Sequence, residues 1–590
     1  MQQQTRVVGL DRPFAPSPGA LSRIVSSWRA DGSAGLTLLL LCVLGFLVLY
    51  PIGTVISISL HPDAVNEGRV GLGAWTQAFA EPGLLLSILN TLKVVTITQL
   101  IALPTAVVIA WFLARTDVPF NRAIEFCFWI VFFLPALGVT TGWLLFFEES
   151  YGLINRWLLQ LGLVSEPPFD MYSFWGIVFA HLTTYAIAVK VMLLTPAFRN
   201  LDGAIEEASR VCGASSFRTV IRVVVPVLTP AIVVVLLMSV IRGLESFEIE
   251  LFLGTPFNFS VYSTKMYRLM MSDPPSYAAT AVLATSILVM MLPLIILQRW
   301  ASVRRSYTVV SGRSTTTKTE LGRWRWPAFA ALAFFVCFIS ILPLGLLVMG
   351  SFMRLFGFFD LPDLWTFYNW GVALSDTTFV SSFHNMLILG FGTAGCAILV
   401  YAIVAYTTVR LKNRFTAPLD IVTWLPLTIP GIILSFGYLY MVLRVPVFVL
   451  LYGTMSVLIL VGFLSAMTLG VQVVKVHMLQ IGAEVEEAGR VVGGSWLRTY
   501  RSIITPLTVP ALAIVAVMVF ASTIRQVGSI ILLSTGETRV LAILQIEFLV
   551  EGVLGPASVI GTVITMMSLC AALIVRLISV RFGVAARGGG

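Results

Sequence analysis

Apolar runs long enough to cross a bilayer as a helix, about 20 residues each, follow one another along nearly the whole of this chain. In hydrocarbon every backbone N–H and C=O must be satisfied inside the structure, which leaves helices or a closed barrel. Runs of this length select helices, so the expected class is an all-α polytopic membrane protein. Twelve spans are predicted. Six lie near Leu36–Leu60, Leu85–Ala114, Ala123–Phe147, Phe174–Thr195, Val227–Leu251 and Tyr277–Leu297. Six more lie near Pro327–Gly350, Asn385–Val409, Pro418–Tyr440, Val447–Val471, Leu507–Leu533 and Ala557–Val575. With 58% hydrophobic and 11% charged residues, the 590-residue chain is far from soluble norms.

The net charge of +9 does not indicate nucleic acid. Most of the 38 Lys and Arg fall in the tails, the central linker and alternate loops, the pattern of positive residues retained on the cytoplasmic side. This divides the chain into a cytoplasmic tail over residues 1–35, a first six-helix repeat over 36–297, a cytoplasmic linker over 298–326, a second repeat over 327–577 and a cytoplasmic tail over 578–590. The linker carries seven basic residues and the Ser-Thr run Ser314–Thr317, and reads as flexible. The stretch Glu148–Ser173, with an amphipathic piece at Asn155–Gly162, is expected outside, at the membrane surface.

The two halves repeat one another. Glu206–Ala231, EEASRVCGASSFRTVIRVVVPVLTPA, aligns without a gap to Glu486–Ala511, EEAGRVVGGSWLRTYRSIITPLTVPA, at an offset of 280. A repeat of this kind is one structural unit used twice. Outside it, Asn90, Arg115, Pro135, Gly142 and Trp143 correspond to Asn385, Arg410, Pro430, Gly437 and Tyr438 at an offset of 295. Six spans per half is an even number, so both halves enter the membrane in the same orientation. They form parallel repeats about an axis along the membrane normal, with a cleft on that axis.

Each copy of the loop is a polar island between apolar runs. In the first, Ala204–Cys212 reads as a short helix with acidic residues near its N-terminus, and Gly213 breaks it. A second short helix from Ser215 carries Phe217, Val220, Ile221 and Val224 on one side with Arg218 and Arg222 on the other, and Pro226 is expected to close it. Two short helices around a glycine elbow suit docking into a groove on another protein.

Glu207-Ala208-Ser209, three residues and Gly213, and Glu487-Ala488-Gly489, three residues and Gly493, resemble the EAA loops of binding-protein-dependent ABC importer permeases. The third position departs from the family's usual Ala only to Ser and Gly. The resemblance implies two parallel six-helix repeats in the type I ABC importer permease (MetI-like) fold. It also implies that Glu206, Glu207, Ala208, Gly213, Glu486, Glu487, Ala488 and Gly493 couple the chain to a cytosolic ATPase. The implied partners are two copies of that ATPase, a periplasmic solute-binding protein and membrane lipid, and the implied location is the bacterial inner membrane with both termini cytoplasmic. ATP and Mg would bind the ATPase, leaving no cofactor in this chain.

The sequence carries no GxxxxGK[ST] phosphate loop, HExxH or nucleophile elbow, so enzymatic activity is not expected of it. Six scattered cysteines, Cys42, Cys127, Cys212, Cys337, Cys396 and Cys570, read as buried small hydrophobes, and the four histidines, His61, His181, His384 and His477, suggest no metal site. Ionisable residues inside the membrane are candidates for function. Lys93 and Lys190 read as snorkelling or locally paired. Glu245, Glu248 and Arg525 are candidates for a gate on the solute path, with Glu245 facing Arg525 across the axis or, alternatively, pairing locally with Arg242. Glu245–Tyr267, ESFEIELFLGTPFNFSVYSTKMY, resembles fused ferric-iron importer permeases, which points to ferric iron as substrate. Thiamine, 2-aminoethylphosphonate and polyamines are the alternatives, and a secondary transporter of the major facilitator type is the alternative class.

Overall fold

A computed structural model describes residues 20–60, 71–304, 318–411 and 413–581. The tail ends 1–19 and 582–590, His61, Arg313 and the Ser314–Thr317 run lie outside the described residues. Among those described, ten helices are long and apolar enough to cross a membrane, and two sharply bent helix pairs bring the number of spans to twelve.

The halves follow the same order. Each begins with a lead helix (Ala20–Leu60; Arg325–Phe352) and a long second span (Leu84–Arg115; Thr377–Arg410). A bent pair follows, then a fourth span (Phe174–Arg199; Met455–Gln480), a fifth (Ser216–Leu244; Leu497–Thr523) and a sixth (Tyr277–Arg304; Leu554–Arg581).

The third span of each half is not the single helix that hydropathy predicts. Asn121–Phe133 meets Ala136–Phe147 at 102°, and Thr416–Thr428 meets Gly431–Arg444 at 112°. Pro135 and Pro430 cause the breaks. Proline has no N–H to continue the ladder and pushes its predecessor out of the α region. Leu134 (φ −71°, ψ 139°) and Ile429 (φ −112°, ψ 120°) are accordingly extended. The apolar run continues through each bend, so composition does not reveal it.

Pro226 does not close a separate helix as expected. The backbone passes from Ser216–Thr219 through a π-turn at Val220–Val224 into Val225–Leu244, so the docking segment and the fifth span form one continuous rod. The wider turn just before the proline relieves its clash with the preceding carbonyls. The second copy repeats the device at Tyr500–Ile504 before Pro506.

Each lead helix packs on the bent span of the opposite half. Pro51 of the first lead helix sits on Gly437, and Pro343 of the second sits on Gly142. A Cβ on Gly142 would lie 2.0 Å from the Pro343 carbonyl oxygen, so this approach requires glycine. The largest buried apolar cluster runs through both halves, which are therefore one packed body.

The cysteines depart from expectation. Cys42, Cys337, Cys396 and Cys570 are exposed on spans, Cys212 is exposed on the repeated loop, and Cys127 is half-buried. A span's outer face is solvated by lipid, so a small apolar side chain is as stable there as in a core. The sixth span continues to Arg304, and Thr319 and Leu321 are bonded to the first half.

Candidate coupling loops and gate

The first repeated loop opens with Asp202, whose carboxylate accepts from the Ala204 N–H at 3.0 Å and caps the helix Gly203–Val211. The helix ends at Gly213, φ +81°, where the Gly213 N–H reaches the Arg210 carbonyl and the Ala214 N–H the Ser209 carbonyl. This is a left-handed helix stop that glycine adopts without strain. Ser215 then caps the next helix, and Ser209 Oγ lies 2.9 Å from Thr219 Oγ1, fixing the angle between the two. Gly493 (φ +85°) and Ser495 repeat these features. Where the first copy has Ser209 the second has Gly489, at which a Cβ would lie 2.6 Å from Ile503.

The eight residues assigned to coupling do not share one face. Glu207, Ala208, Glu487 and Ala488 are exposed. Glu206 and Glu486 are buried and turned into the bundle. Arg115, at the end of the second span, holds Glu206 through Nε (2.7 Å) and Nη2 (2.6 Å), and its Nη1 donates to the Leu201 carbonyl at 3.2 Å. In the second half Tyr406 donates to Glu486 at 2.7 Å while Arg410 stands 3.8 Å away. The first glutamate of each loop thus anchors the loop, and the following residues are presented outward.

Sequence reasoning named Phe217 but missed the most exposed apolar groups of these loops. Val211 and Phe217 are 88% and 75% exposed, and Val491 and Val492 are 86% and 87% exposed. Valine beside a helix-stop glycine was the available signal. Uncovered apolar groups clustered on polar loops mark an interaction surface.

The gate candidates are arranged differently from the expected pair. Glu245 is bound to Arg242 of its own half at 2.7 Å. Arg525 reaches the other half, but its Nη1 donates to the carbonyls of Phe132 (2.7 Å) and Leu134 (3.2 Å). Those carbonyls are orphaned by the break at Pro135, and an arginine at a helix C-terminus is favourable for the dipole as well. Glu248 makes the reciprocal contact by accepting the Val527 N–H at 3.1 Å. The cross-axis link is therefore side chain to backbone in both directions.

Beside it lies a buried group that sequence did not bring together, in which His181 Nε2 is 2.8 Å from Glu250 and Ser246 Oγ contacts both. Lys190 is buried and donates to the Ala186 carbonyl at 2.8 Å, whereas Lys93 is exposed on its helix. No cluster of three or more metal-ligating side chains occurs among the described residues.

This geometry can be set beside known proteins. Residues 106–307, which include the first repeated loop, match the family model described as "Binding-protein-dependent transport system inner membrane component". This segment belongs to that family. The chain is 27% identical over 400 residues to the ferric transport system permease protein FbpB of Actinobacillus pleuropneumoniae, covering 67% of this chain and 57% of the relative. It is also 27% identical to a putative ferric transport system permease protein FbpB 1 of Haemophilus influenzae, covering 63% and 58%. A probable ABC transporter permease protein, y4fN, of Sinorhizobium fredii is 29% identical, covering 62% and 65%. The chain thus spans rather more than half the length of these relatives. The second repeated loop lies outside the family match, and Gly482 stands where the first has Asp202, yet it has the same serine cap on its second helix, the same glycine stop and the same buried anchor. The loop and span order of the matched segment thus occurs twice in the fold.

Proposed function

We propose that this chain is the fused membrane subunit of an ATP-driven importer that passes solute from a periplasmic binding protein to the cytoplasm. The observation that carries the reading is the pair of anchored loops at equivalent places in two parallel halves, each presenting a capped helix, a glycine stop and bare apolar side chains. Two such loops suit two copies of a cytosolic ATPase. ATP-driven closure of the ATPases would draw the loops together. Because each loop is continuous with a fifth span, the motion would pass up that rod to Glu245, Glu248 and Arg525 at its far end. Both termini and the linker would be cytoplasmic and Glu148–Ser173 periplasmic.

Ferric iron is the proposed solute. The names of the two FbpB relatives and the segment Glu245–Tyr267 support it. The test is uptake of ferric iron into vesicles containing this chain, an ATPase and a binding protein. Uptake abolished by vanadate is expected. Uptake lost only with an uncoupler would make the protein a secondary transporter. Uptake of a polyamine, thiamine or 2-aminoethylphosphonate in place of iron would reassign the substrate. An impermeant thiol reagent should reach Glu149→Cys in whole cells and miss a cysteine at Ser314, and the opposite result would invert the orientation.

A further inference from the structure

We infer that Thr319–Leu321, just ahead of the second lead helix, clamp the seat of the first coupling loop, so that the two loops are held with unequal stiffness. The functional part of this inference rests on the coupling role proposed above.

The clamp is a short parallel pairing of Thr116 with Thr319. The Thr319 N–H donates to the Arg115 carbonyl at 2.8 Å, and the Asp117 N–H donates to the Thr319 carbonyl at 3.3 Å. Asp117 closes it on the other side, its carboxylate accepting the Leu321 N–H at 2.9 Å and its carbonyl accepting from Arg325 Nε at 2.9 Å. Both threonines are buried, and Phe120 packs against Phe329 with ring centres 5.7 Å apart. Arg115 is the shared member. Its main chain is held by the clamp while its guanidinium holds Glu206 and the Leu201 carbonyl. The second half therefore reaches across to stiffen the residue on which the first loop hangs.

The other loop is held differently. Arg410 is 16% exposed against 1% for Arg115 and lies 3.8 Å from Glu486, and its Nη2 donates to the carbonyls of Ile481 (2.5 Å) and Met478 (3.4 Å), so its hold on the loop runs more through backbone than through the glutamate. Near Arg410 the opposite lead helix is joined through side chains, Asn413 Nδ2 donating to Thr37 Oγ1 at 2.8 Å, where the first half has main-chain bonds. Bonds that are buried and mutually supporting open less often than exposed ones, so the first loop should move as a unit with the bundle while the second has more freedom.

The test is amide hydrogen exchange of the full chain in nanodiscs, comparing Gly203–Val211 with Ala483–Val491. Thr319→Pro removes the donor to Arg115. Asp117→Ala removes the acceptor for Leu321 and leaves the backbone intact, so the inference remains testable if the proline variant does not fold. Either change should speed exchange in the first loop about tenfold and leave the second unchanged. With the ATPase present, both variants should still bind it but move less solute per ATP hydrolysed. Unaltered exchange in the first loop, or equal acceleration in both, would overturn the clamp. Absence of ATP-dependent uptake by the unaltered chain would instead overturn the importer reading and leave the exchange result standing.

Discussion

The hydroxyl of Tyr438 donates to the carbonyl oxygen of Leu47 at 2.6 Å, joining the bent span of the second half to the lead helix of the first. Pro51 lies four residues after Leu47 and has no N–H to offer it, so the lead helix leaves this carbonyl without its helical donor. Tyr438 supplies one, and Gly437 beside it gives the Pro51 ring room to approach. The kink, the glycine and the tyrosine form one joint. Tyr438→Phe keeps the shape and strands a half-buried acceptor, which should cost about 1 kcal/mol. The loss is expected as a lower unfolding midpoint in detergent, with Tyr440→Phe close to neutral. Equal midpoints for the two variants would show that the carbonyl does not depend on this donor.

That joint was half visible in the sequence. Gly437 and Tyr438 stood out because Gly142 and Trp143 repeat them, but their partners in the lead helices cannot be read from an apolar run. The same division holds elsewhere. Span order, the parallel repeat and the loop helices follow from hydropathy, spacing and capping residues, all local properties. The bends at Pro135 and Pro430 escaped because lipid solvates both arms of a bent span alike. Of the two arrangements open for Glu245, the structure has the local pair with Arg242, while Arg525 finds the backbone carbonyls of Phe132 and Leu134, and a backbone partner leaves no mark in residue types. His181 and Glu250, 69 residues apart, meet only once the fifth span has ended and the chain has turned back.

Gly213 and Gly493 require glycine for their backbone angles. A Cβ on either would meet nothing within 4 Å, but φ near +80° costs most L-residues about 1–2 kcal/mol. Gly213→Val should therefore loosen the stop and weaken ATPase copurification, whereas Gly213→Asn, which tolerates this region, should retain most of it. Equal recovery with Val and Asn would show that the left-handed stop does not matter for docking.

Arg115 and Arg410 should differ in weight. Arg115→Leu leaves the buried Glu206 carboxylate with only the exposed Arg210, 3.6 Å away, a loss approaching the roughly 3–5 kcal/mol of a broken buried pair. Arg410→Leu removes the donor to the Ile481 and Met478 carbonyls but should cost less, because Tyr406 still donates to Glu486 and the site is more open. Folded yield and uptake are the measurements, and Arg115→Leu with Glu206→Leu should recover part of the stability lost by the single change. Equal losses at Arg115 and Arg410 would contradict the difference in burial.

The last prediction concerns the far end of the fifth spans. Glu245 is satisfied by Arg242 within its own half, while Arg525 is satisfied by the carbonyls at the break of the first half's third span. The two residues share no hydrogen-bond partner, so Glu245→Gln and Arg525→Gln should act nearly independently, adding within about 0.3–0.5 kcal/mol in a double-mutant cycle read through unfolding. Glu245→Gln with Arg242→Gln should not add, because each removes the same pair. Arg525→Gln alone strands two backbone acceptors and weakens a link between halves, so it should lower uptake more than Glu245→Gln does. Glu248 supplies the check on this account. Since Glu248 accepts the Val527 N–H two residues from Arg525, Glu248→Gln should couple to Arg525→Gln where Glu245→Gln does not. A coupling between Glu245 and Arg525 above 1 kcal/mol would instead show that the two charges meet across the axis in some state of the transport cycle.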